Sequence, residues 1–136
     1  MTQTEIAKHT DTSERFLRHA GEQYERGDLP QASEKAWGAV AHYVKSVAKQ
    51  RGWSNRSHAD LSDIVVDLAQ ETDDPNRILI LYRSVGALHT NFYENWLSDS
   101  MVGGGIEDAV ELIARLEKRT EPPADPRPSQ TGRPRR

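Results

Sequence analysis

The chain has 136 residues, a formal net charge of -3 and no cysteine. That length accommodates one domain with its own core, and so small a net charge argues by itself for no particular partner. The absence of cysteine excludes disulfides, thiolate metal sites and a cysteine nucleophile, and no apolar run reaches the roughly 20 residues of a membrane span.

The N-terminal residues show no signal-peptide pattern, so a cytoplasmic protein without membrane contact is expected. Residues 1–10 are polar and are expected to be flexible. Asp11 with Glu14 forms a capping-box-like pair at the start of a first helix, whose apolar face is Phe16, Leu17, Ala20 and Tyr24. Gly27 should end it, because glycine takes the left-handed conformation at low steric cost. Asp28 and Pro30 open a second helix running to about Arg51. Its core stripe is Ala32, Ala36, Ala39, Val40, Tyr43 and Val47, broadened by Trp37, Ala41, Val44 and Ala48. The opposite face carries Lys35, His42, Lys45 and Lys49, a basic strip that is either a solvated face or a phosphate-binding surface.

After a turn at Gly52, Ser57 with Asp60 caps a third helix that points Leu61, Ile64, Val65 and Leu68 inward. His58 falls in its first turn, where the positive end of the helix dipole favours a neutral imidazole bonded to the preceding loop. Asp74 and Pro75 start a fourth helix, expected to end near Ser98. Ile78, Leu81, Val85, Leu88 and Phe92 give it one apolar stripe, and Tyr82, Gly86, His89, Tyr93 and Trp96 a second beside it. Arg83, Thr90 and Glu94 lie on the other side. Asn91 and Glu94 are off the main stripe, which makes them candidates for exposed nucleotide or RNA recognition. Tyr82, Tyr93 and Trp96 would either pack in the core or stack bases.

Gly103-Gly104-Gly105 is not a phosphate-cradling loop, since no strand precedes it, no Walker lysine follows, and Glu107 and Asp108 would repel an anion. It is expected to be a flexible connection to a fifth helix with Ile106, Ala109, Val110, Ile113 and Leu116 inside. From Glu121 the chain is rich in proline and arginine and has almost nothing to bury, so a disordered basic tail is expected over residues 121–136. No segment has the alternation of a strand. The expected architecture is all-α, an antiparallel four- or five-helix bundle over residues 11–120.

The segments Gly27–Lys45, Arg56-Ser57-His58 with Leu61, and Leu88–Glu94 together resemble the HEPN superfamily (higher eukaryotes and prokaryotes nucleotide-binding), in particular its PaREP-like prokaryotic branch. The resemblance implies a helical bundle that commonly forms homodimers. It also implies a superfamily of metal-independent ribonucleases, toxins with a paired protein partner, and noncatalytic nucleotide-binding modules. The ribonuclease motif of that superfamily, an arginine and a polar residue followed after a spacer by histidine, aligns with Arg83, Ser84 and His89. There histidine assists proton transfer at the RNA 2′-hydroxyl and arginine stabilises the phosphate, with neither metal nor cofactor. On a straight helix the two side chains diverge, about 120° apart and about 9 Å along the axis. The favoured reading is a noncatalytic HEPN-like module associated with nucleotides or RNA, and the alternative is an endoribonuclease using Arg83 and His89. A third reading is a tetratricopeptide-like adaptor, from the likeness of Tyr24–Ala32 to the turn of such a repeat. It lacks a second copy at a period of about 34 residues.

Overall fold

Four helices begin in the same way. Asp28, Ser57, Asp74 and Ser98 each accept a hydrogen bond from the backbone N–H three residues on, at Gln31, Asp60, Arg77 and Met101. Each bond satisfies an amide that the helix cannot. Pro30 and Pro75 follow in the first turn, where no amide hydrogen is required. The computed structural model describes the backbone of residues 3–120 and the side chains of 11–57 and 59–120. Among the described residues the chain forms α1 (Gln3–Glu25), α2 (Leu29–Arg51), α3 (His58–Ala69), α4 (Pro75–Glu94) and α5 (Asp99–Glu117), with no strand. The expected basic tail over 121–136 and the His58 side chain lie outside the described residues.

Three boundaries differ from the sequence expectation. α1 begins at Gln3, so Asp11 and Glu14 lie inside a continuous helix and do not cap it. α4 stops at Glu94 rather than near Ser98, because Asn95 turns left-handed at φ 48 and its N–H returns to the Asn91 carbonyl. Asparagine is among the few residues that tolerate this conformation. Gly103-Gly104-Gly105 is helical, within the first turns of α5. A Cβ on Gly105 would meet Leu88 Cδ2 at 2.7 Å, and one on Gly103 would meet the Tyr24 hydroxyl at 2.7 Å. These glycines therefore allow α5 to approach α4 and α1 closely, and that packing outweighs their poor helix propensity.

α2 is the central element and touches each of the other four helices. Ala32, Ala36, Ala39 and Ala48 are fully buried along it, and such small side chains permit near neighbours. α1 runs antiparallel to α2, with the Ser13 hydroxyl donating to the Ala39 carbonyl and Phe16 seated over Gly38. Ile64, Leu68, Ile78, Leu81, Leu88, Leu112 and Leu116 fill the middle of the bundle. Among the expected core residues, Phe92 is only half-buried and Val110 is exposed. Asn91 and Leu112 occupy the inner face in their place.

Candidate functional site

His89 sits on the edge of α4 that faces α2. Its Nδ1 lies 3.0 Å from Glu34 Oε1 on α2. An ionised carboxylate can only accept, so Nδ1 carries the hydrogen and donates, which makes Nε2 the acceptor of the neutral ring. The imidazole also stacks on Trp37 at 5.2 Å and meets Tyr93 edge-on at 5.7 Å. Trp37 contacts Tyr82 at 6.0 Å, and burial pushes the Tyr82 phenol pKa up. The second aromatic stripe is thus split: Tyr82 is half-buried, whereas Tyr93 is 71% and Trp96 56% exposed.

Arg83 is exposed, and its Nε donates back to the Leu79 carbonyl at 3.4 Å. Because α4 is helical from Pro75 to Glu94, Arg83 and His89 stay on different sides of it, and one chain does not bring them together. Ser84 points toward α5, where its hydroxyl donates to Asp108 at 2.6 Å. Asn91 is not an exposed recognition residue. It is fully buried, donates to the Ser33 hydroxyl at 3.0 Å, and accepts from the N–H groups of Trp96 and Leu97 at 2.7 and 2.8 Å. Its amide nitrogen thus ties α4 to α2, and its amide oxygen holds the α4–α5 corner. Glu94 is exposed.

The basic strip of α2 divides in two. Lys35 lies over the Phe16 ring at 5.2 Å, and His42 approaches the same ring at 6.3 Å, so this half is partly covered by α1. Lys45 and Lys49 are exposed and form no ion pair among the described residues.

Residues 8–113 match the archaeal PaREP1/PaREP8 family. The chain belongs to that family. No curated protein and no solved structure matches this PaREP1/PaREP8 protein. The match includes Arg83, His89 and the whole α2 strip, and the Tyr24–Ala32 corner falls within it as the single α1–α2 turn.

Sequence pattern did not foresee the arginine–carboxylate network at the opposite end of the PaREP1/PaREP8 bundle. Arg51 makes a bidentate pair with Glu71 at 2.7 and 2.8 Å, and Arg77 another with Glu111 at 2.9 and 2.7 Å. Arg115 adds a third bond to Glu111 at 2.7 Å, and the hydrogen bonds from Arg77 and Arg115 hold the Glu111 carboxyl down to about 2. These partners come from different helices or from surface positions without hydrophobic periodicity, so no motif marks them. An open depression of about 780 Å³ lies among Glu71, Asp73, Glu111, Arg115 and Lys118, and none of the sequence-predicted site residues lines it. No cluster of three or more metal-ligating side chains occurs among the described residues.

Proposed function

We propose that this PaREP1/PaREP8 protein is a HEPN-like helical module that associates with nucleotides or RNA without cleaving them. The observation that carries the reading is a pair of exposed lysines, Lys45 and Lys49, four residues apart on one face of α2. Arg51, Arg77, Arg115 and Arg119 are neutralised by carboxylates, whereas Lys45 and Lys49 stand exposed on α2 with no acidic partner among the described residues. Phosphate oxygens complement such a strip, and Lys35 and His42 extend it along the same helix face. A second copy of the chain is proposed against the outward face of α4 at Gly86. Nothing lies within 4 Å of where a Gly86 Cβ would stand, so packing within one chain does not require glycine there.

The test is anisotropy of a labelled single-stranded RNA titrated with the full chain at several salt concentrations. Lys45→Glu with Lys49→Glu should weaken binding by about tenfold or more and flatten the salt dependence by one to two counterions' worth, roughly as loss of two phosphate contacts predicts. The RNA should be recovered intact. Absence of RNA binding even at low salt would overturn the proposal.

One observation favours a second reading, metal-independent cleavage by Arg83 and His89. Glu34 holds His89 in the tautomer whose Nε2 accepts a proton, the form a general base requires. That reading takes the arginine from the second copy, because one chain keeps the two apart. RNA cleavage that persists in chelator and disappears in both Arg83→Ala and His89→Ala would replace the binding reading with this one.

A further inference from the structure

We infer that the end of the bundle formed by the α1–α2 and α4–α5 turns docks an arginine-rich segment of a partner protein, on a surface separate from the α2 lysines. Two contacts bring these turns to the same end of the fold. The Tyr24 hydroxyl donates to Asp99 at 2.9 Å, and Asn91 bonds Ser33 across α4 and α2.

Three large apolar side chains stand open there: Tyr93 at 71%, Trp96 at 56% and Met101 at 55% exposure. By contrast, Trp37 is 7% exposed. Tyr93 and the backbone of Trp96 are anchored from behind. Tyr93 is braced edge-on by Phe92 at 4.9 Å and by His89 at 5.7 Å. The Trp96 backbone is fixed by its N–H bond to Asn91 Oδ1 at 2.7 Å, just after the left-handed Asn95. Aromatic faces ordered before binding lose little entropy when a ligand settles on them.

Charge selects the ligand. Across residues 22–28 and 93–101, Glu22, Glu25, Asp28, Glu94 and Asp99 stand against one cation, Arg26. A phosphate backbone would be repelled from this end, and a purely apolar segment would strip water from carboxylates without replacing it. A guanidinium satisfies both components, since it pairs with carboxylates through its planar fork and stacks on tyrosine and tryptophan faces. A lysine ammonium gives the charge but stacks less well.

The experiment uses the full chain and a fluorescein-labelled nona-arginine peptide, with nona-lysine and a single-stranded RNA as comparisons. Nona-arginine should bind, and nona-lysine should bind several-fold more weakly. Tyr93→Ala with Trp96→Ala, which leaves every charge in place, should weaken nona-arginine binding by about tenfold at an unchanged circular dichroism spectrum. Glu94→Lys, a surface change that leaves the aromatics intact, should weaken it as well. Equal affinity in the aromatic double variant, or equal affinity for the two peptides, would overturn the inference. A loss of RNA binding in the aromatic double variant would also overturn it by making this end an RNA surface. Lys45→Glu with Lys49→Glu should leave peptide binding intact, so failure of the lysine-strip reading and failure of this one give different results.

Discussion

Asn91 and Ser33 meet side chain to side chain at 3.0 Å in the seam between α4 and α2, and both are fully buried. The other end of the same amide receives two backbone N–H groups from the α4–α5 turn. One residue therefore fixes a helix pair and the corner after it. Asn91→Ala would leave those three partners without their bonds, and it should lower the unfolding free energy by about 2–4 kcal/mol in urea titrations. A loss below about 1 kcal/mol would mean the corner is held by its apolar contacts instead.

The glycines of α4 and α5 should respond with opposite signs. Gly105→Ala places a methyl at 2.7 Å from Leu88 Cδ2, and Leu88 is buried and cannot swing away, so about 1–3 kcal/mol of destabilisation is expected. Gly86→Ala meets nothing and gains helix propensity, so up to about 1 kcal/mol of stabilisation is expected in the monomer. Thermal melts of both variants at low protein concentration check the pair. A destabilised Gly86→Ala, or a neutral Gly105→Ala, would contradict the packing described.

Glu34 and His89 join α2 to α4 through a half-buried contact, so their coupling should be small but measurable. A double-mutant cycle with Glu34→Ala and His89→Ala should return about 0.5–1 kcal/mol. His89→Ala alone should cost somewhat more, because Trp37 also loses a stacking partner. No measurable coupling would show the 3.0 Å contact to be energetically idle.

Acid should weaken the bundle through Glu111. Its carboxyl falls from an ordinary 4.5 to about 2 in the fold, so between those values the unfolded chain binds the extra proton. Stability from this group is fully present above about 4.5 and is lost as the pH drops toward 2. Urea midpoints measured from pH 5 to pH 2 should fall less steeply in Glu111→Gln than in the natural chain. Parallel curves would rule out this carboxylate as a source of acid sensitivity.

The starts of α2, α3 and α4 were legible in the sequence, because Asp28, Ser57 and Asp74 carry their capping chemistry locally. The α2 core stripe was equally plain, since an alanine- and valine-rich face at helical spacing has few other uses. What stayed hidden depends on tertiary contact. Gly103-Gly104-Gly105 has the local signature of a loop, and the close approach of Tyr24 to Gly103 and of Leu88 to Gly105, which explains glycine at those two positions of a helix, depends on tertiary contact. Asn91 has the same propensity whether exposed or buried, and nothing local announces that Ser33 and two amides converge on it. In the candidate site, Arg83 and His89 could be found by spacing, but Glu34, which sets the histidine tautomer, is 55 residues away and belongs to no shared pattern.

The contacts made by Arg119 and Thr120, at the end of the described residues, define where a minimal protein can be cut. Arg119 donates to the Tyr43 hydroxyl at 2.7 Å and lies 3.6 Å from Glu71, while the Thr120 N–H donates to the Glu71 carbonyl at 2.8 Å. A version trimmed to the family's matched span, ending at Ile113, would remove these along with Arg115 and Leu116. Glu71 would then keep Arg51 as its counter-charge while losing the partners supplied by the end of α5. For expression or fusion, the smallest unit that preserves this clasp therefore ends at Thr120, seven residues beyond the point where family likeness stops.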